Sequence, residues 1–149
     1  MMATRPKRVL IVEDNPVDSR LFADILIAYG YETTQAADGL EAIDLAWSNP
    51  PDLILMDIRL RDISGLEIVR RLRDDDRSKQ IPVVAVTALA QRWVERTALD
   101  SGCSAYLSKP ISIRGLLATI EPLLSQNLPA RGAGVSLQRF DRGRDHRIV

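Results

Sequence analysis

Apolar positions along the chain fall into two alternating kinds of run. Five times a short, nearly continuous apolar or β-branched stretch appears: RVLIVED (8–14), YETTQAAD (31–38), DLILMDI (52–58), IPVVAVTA (81–88) and AYLSKP (105–110). Runs of that length suit strands covered on both faces, and the second is the weakest of the five. Between them, apolar residues return every three or four positions. Asn15-Pro16 offers an N-cap and an N1 proline, after which Val17, Leu21, Phe22, Ile25 and Leu26 share one helical face up to Gly30. Leu40, Ile43 and Trp47 mark a second helix that stops before Pro50-Pro51, and Leu66, Val69 and Leu72 a third. A fourth spans 92–102 and closes at Gly102; a fifth spans 113–126, with Pro122 as a candidate kink.

Strict strand–helix alternation predicts an α/β fold, a doubly wound five-stranded parallel sheet flanked by five helices. Right-handed crossovers leave few topologies, and the flavodoxin-like order is the simplest for five strands. One domain is expected over 1–126. Residues 127–149 are rich in Gly and Arg and poor in apolar residues, the composition of a flexible tail.

Composition narrows the class further. With 46% hydrophobic and 27% charged residues, the 149-residue chain is ordinary for a globular protein. Twenty basic residues balance twenty acidic ones, which argues against a nucleic-acid binder or a membrane-surface protein. The final segment departs from that balance: five arginines, including Arg139, Arg142, Arg144 and Arg147, face only Asp141 and Asp145. Cys103 is the single cysteine, so no intramolecular disulfide forms and a reducing compartment fits. No apolar run approaches a membrane span, and MMATRPKR leads directly into a strand with no room for a signal peptide, so a cytoplasmic location without membrane contact is expected.

Four of the five strands finish on polar residues that a plain strand does not need: Glu13-Asp14, Asp57, Thr87 and Lys109-Pro110. Singly, each has an ordinary explanation as a helix cap, a strand filler or a surface lysine. In a parallel sheet, however, all four strand ends share the edge where ligands bind in open α/β folds. Three acids converging there suit a hard cation such as Mg²⁺, which is typically held by one or two carboxylates and a phosphate. Lys109 and Thr87 supply a charge and a hydroxyl for phosphoryl oxygens, and an aspartate can itself form an acyl phosphate.

These stretches, VLIVEDN, LILMDI, VVAVTA and AYLSKPI, resemble the receiver domain of two-component response regulators, the CheY-like family, over about residues 7–126. Thirty residues separate Asp57 from Thr87 and twenty-two more lead to Lys109, which matches that family's spacing. The resemblance implies that Asp57 accepts a phosphoryl group from a phosphohistidine. It also implies that Glu13, Asp14, Asp57 and the backbone carbonyl of Arg59 hold Mg²⁺, and that Thr87 and Lys109 meet the phosphoryl oxygens. Tyr106 takes the place of the family's switch aromatic, and Lys109-Pro110 that of its cis peptide. Arg61 stands where the family usually has proline, which puts the geometry of that loop in doubt.

Expected partners are a histidine kinase or histidine phosphotransferase and a downstream protein target, since the residues after the fifth helix are too few for a DNA-binding domain. Arg92, Trp93 and Arg96 on the fourth helix, near Tyr106, have the composition of a binding hot spot. Val17 and Leu21 on the first helix are candidates for docking the phosphodonor, with Phe22 expected in the core. Two other readings use the same fold. One is a phosphorylation-independent binding module. The other is an aspartate-nucleophile phosphohydrolase, against which Arg59 stands, occupying the position of such an enzyme's second aspartate.

Overall fold

The computed structural model describes residues 5–88 and 92–125; the expected tail at 127–149 lies outside the described residues. Strands β1 (Arg8–Val12), β2 (Glu32–Ala36), β3 (Leu53–Asp57), β4 (Val83–Thr87) and β5 (Ala105–Ser108) alternate with five helices. The helices are α1 (Pro16–Ala28), α2 (Gly39–Ser48), α3 (Gly65–Arg73), α4 (Arg92–Asp100) and α5 (Ile113–Ser125). All strand pairs are parallel, in the order β2-β1-β3-β4-β5. The sheet is thus the five-stranded, doubly wound one that the alternation predicts, and its strand order reverses between β1 and β3.

Local chemistry sets the helix starts. Asn15 Oδ1 accepts from the backbone N–H of Val17 at 2.9 Å and of Asp18 at 3.2 Å, with Pro16 at the first helical position. Asp38 caps α2 through Glu41 N, and Ser64 caps α3 through Leu66 N. The chain leaves α1 through Gly30 at φ 95° and passes from α4 to β5 through Gly102 at φ 115°, backbone conformations that disfavour side chains. Pro122 sits inside α5, which continues to Ser125.

Period-two alternation along the strands builds two cores. Leu10, Val12, Ile54, Met56, Val83 and Ala85 face α2, α3 and α4. Val9, Ile11, Leu55, Val84, Val86 and Leu107 face α1 and α5, where Phe22, Leu26, Leu116 and Ile120 are buried. Each of these Val, Leu, Ile, Met and Phe side chains contributes about 1.5–3 kcal/mol by leaving water. Every residue of β3 and β4 is buried, whereas β2, at the edge, exposes Glu32 and Gln35.

The apolar periodicity overstates burial at helix starts. Val17 is 71% exposed and Leu40 54%, although both continue the stripe of their helix. Each lies in a first turn, at the rim of the sheet, where none of the described residues forms a second layer over it. Among the described residues no helix is long and apolar enough to cross a membrane.

A carboxylate cleft at the sheet edge

Registers Val12↔Met56, Asp57↔Val86 and Thr87↔Ser108 bring the C-terminal ends of β1, β3, β4 and β5 to one edge, next to the reversal in strand order. Glu13 and Asp14 follow β1 directly, Asp57 and Thr87 close β3 and β4, and Lys109 follows β5. Residues separated by up to 96 positions therefore share one cleft.

Carboxylate oxygens of Glu13, Asp14 and Asp57 lie within 4.8 Å of one another. Glu13 is 4% exposed and Asp57 7%. Two buried carboxylates at that range repel and are poorly solvated. Compensation comes from Lys109, whose Nζ donates to Glu13 Oε1 at 3.0 Å and stands 3.7 Å from Asp57 Oδ2. Backbone groups add to it: Asn15 N donates to Glu13 Oε2 at 3.2 Å and Arg59 N to Asp57 Oδ1 at 3.0 Å.

The balance is incomplete. Burial, with hydrogen bonding to and the charge of Asp57 behind it, pushes the Glu13 carboxyl up to about 7, against the opposing pull of Lys109. For Lys109, burial works against the charge, but its bonds to Asp18 and Glu13 and the charge of Asp57 outweigh it and raise the ammonium. The three acids fit a divalent cation: all are oxygen donors, two are buried, and one is driven toward protonation without added positive charge.

The loop after β3 is tied down without the proline. Asp62 Oδ1 accepts from Gly39 N at 3.0 Å and Oδ2 from Leu40 N at 3.1 Å, joining the loop to the start of α2. At its far end Gly65 N donates to Ile58 O at 2.8 Å, and a Cβ on Gly65 would fall 2.8 Å from Ile58 Cα and nearer still to the Asp57 carbonyl. Arg61 Nε, on the same loop, lies 3.7 Å from Asp14 Oδ2.

Thr87 is fully buried, and its carbonyl accepts from Lys109 N at 2.7 Å. Lys109-Pro110 is cis. Tyr106 is half-buried and packs against the α2–α3–α4 core, paired in register with Ala85. Leu21 is half-buried against the other core, and Phe22 is 2% exposed. Arg92 and Arg96 are exposed on α4, and Trp93 is 62% exposed.

Sequence reasoning missed two residues. Asp18 Oδ2 accepts from Lys109 Nζ at 3.0 Å, as short a bond as that to Glu13. Its place in the first turn of the helix that follows Asp14 is the available signal. Arg61, which stands in place of the family's loop proline, reaches an acid of the cleft, a role the departure itself does not signal.

An aspartate at the end of a buried central strand, with two further acids and a lysine beside it, is the arrangement of a class of signalling module. The chain belongs to the response regulator receiver domain family, whose model matches residues 9–121. It is 51% identical over 119 residues to the polar-differentiation response regulator DivK of Brucella anthropi, covering 80% of this chain and 97% of that protein. Among solved structures it resembles the chemotaxis protein CheY4 of Vibrio cholerae, with a TM-score of 0.76 and 28% identity over 80% of this chain and 100% of that one. It also resembles the receiver domain of a sensor histidine kinase from Pseudomonas aeruginosa PAO1, with a TM-score of 0.76 and 31% identity over 82% of this chain and 100% of that one. That receiver carries a magnesium ion coordinated in its active-site cleft. Receiver domains bind Mg²⁺ at such an acidic pocket and work with histidine kinases, so this chain acts in two-component signalling.

Proposed function

We propose that this protein is a phosphorylation-controlled switch in which Asp57 takes a phosphoryl group from a phosphohistidine and passes the signal on by protein binding. The observation that carries the reading is the convergence of Glu13, Asp14 and Asp57 with Lys109 in one cleft. Asp57 is held rigidly by a fully buried strand, and its Oδ1 is fixed by the Arg59 N–H. In the transfer, a carboxylate oxygen bonds to phosphorus as the P–N bond breaks, and the imidazole departs with that electron pair. Lys109 meets the incoming phosphoryl oxygens, and Thr87 gives them a hydroxyl.

Glu13, Asp14 and Asp57, with the Arg59 carbonyl, would hold Mg²⁺, which when bound supplies charge neutralisation for the phosphoryl oxygens. Thr87 and Tyr106 change position together on phosphorylation and present the face formed by Arg92, Trp93 and Arg96 to a downstream protein. Val17 and Leu21 receive the histidine phosphodonor. The likeness to the polar-differentiation regulators supports a role in cell polarity or cell cycle, in the cytoplasm, with signalling rather than substrate turnover as the output.

Incubation of the purified chain with acetyl phosphate and Mg²⁺ should add one phosphoryl group, lost with EDTA and absent in Asp57→Asn with the fold intact. Labelling that persists in Asp57→Asn sinks the assignment.

A further inference from the structure

Lys109 is held by more carboxylates than the transfer uses. Its Nζ bonds to Glu13 Oε1 and Asp18 Oδ2 at 3.0 Å each, while Asp57 Oδ2 stands off at 3.7 Å. Asp18 lies in the first turn of α1 and is not one of the three acids that converge for a cation. Its side chain is 27% exposed and that of Lys109 17%, so the pair is partly shielded from water and outweighs an ordinary surface contact. The start of α1 is already capped by Asn15, so the acid at position 18 is not needed as the cap, although in the first turn it also favours the helix dipole.

We infer that Asp18 is a positioning residue that tethers Lys109 in the resting protein and slows phosphorylation of Asp57. The inference rests on the reading of Asp57 as phosphoacceptor. To meet a phosphoryl oxygen on Asp57 the ammonium moves toward that residue, and its bond to Asp18 lengthens or breaks. The loss is part of the barrier to transfer. Asparagine at position 18 keeps the shape and a neutral acceptor, so the ion-pair attraction is removed while a hydrogen bond to the ammonium is still available. Relief of a partly shielded ion pair corresponds to a rate constant about five-fold larger.

The test uses the full chain, acetyl phosphate at saturating Mg²⁺, and a gel that separates the phosphorylated form. Asp18→Asn should be phosphorylated about five-fold faster, with unchanged half-saturation by Mg²⁺, and Asp18→Glu, which keeps the charge, should stay close to the parent rate. The side-chain ammonium resonance of Lys109, followed by ¹⁵N NMR without donor, should move in Asp18→Asn. A rate for Asp18→Asn equal to or below that of the parent overturns the tether, as does an unmoved Lys109 resonance. If the parent itself is not labelled on Asp57, the proposed function falls and the tether with it. If the parent is labelled and Asp18→Asn behaves identically, the tether alone is wrong.

Discussion

Without a divalent cation, the protein should lose stability as the pH rises from 5 to 8, and Glu13 should be the cause. Its carboxyl ordinarily titrates at 4.5 and is held at about 7 in the fold. Between those values Glu13 binds more protons in the folded chain than in the unfolded one, so its contribution to stability falls with rising pH and is largest below 4.5. A gap of about 2.5 units, at 1.36 kcal/mol each, sets the full effect at about 3 kcal/mol. Lys109 shifts upward from 10.5, so its contribution is lost only above that value, outside this window. Urea denaturation in EDTA at pH 5, 6, 7 and 8 measures the slope. Glu13→Gln removes the titration but offers one acceptor to two donors, Lys109 Nζ and Asn15 N, which costs about 1 kcal/mol. The variant should therefore be the more stable protein at pH 8 by about 1–2 kcal/mol and the less stable at pH 5. Parallel pH curves for the two proteins would refute the argument that burial and Asp57 drive Glu13 toward protonation.

Gly65→Ala should destabilise by about 2–3 kcal/mol, because its Cβ meets the backbone of Asp57 and Ile58 rather than a movable side chain. It should also slow phosphorylation by displacing the end of β3; a urea midpoint equal to that of the parent would contradict the contact. Trp93→Ala should change stability by less than about 0.5 kcal/mol, whereas Phe22→Ala should cost about 3–5 kcal/mol, as their exposures of 62% and 2% require. Equal losses for the two would show that Trp93 is part of the core.

Much of this protein was legible in its residues because the signals are local. Continuous apolar runs and three-to-four spacing mark the ten elements, and Asn15-Pro16 and Gly30 mark the ends of α1. Because strand ends in a parallel sheet share an edge, the same pattern located Glu13, Asp14, Asp57, Thr87 and Lys109 in one cleft. Periodicity by itself could not say which helices cover which face; that followed only from the expected crossover hand and strand order, and the sheet bears the order out. Nor could periodicity show that Val17 and Leu40 stay exposed, because the stripe carries no information on where the second layer stops. Direction and reach of polar side chains are equally non-local. Only the folded chain brings Asp18 to 3.0 Å from Lys109 and Arg61 to 3.7 Å from Asp14, and only the fold buries Glu13 beside Asp57 and so drives it toward protonation. The residue types along the chain determined the kind of chemistry; the tertiary structure decided how its charges are shared.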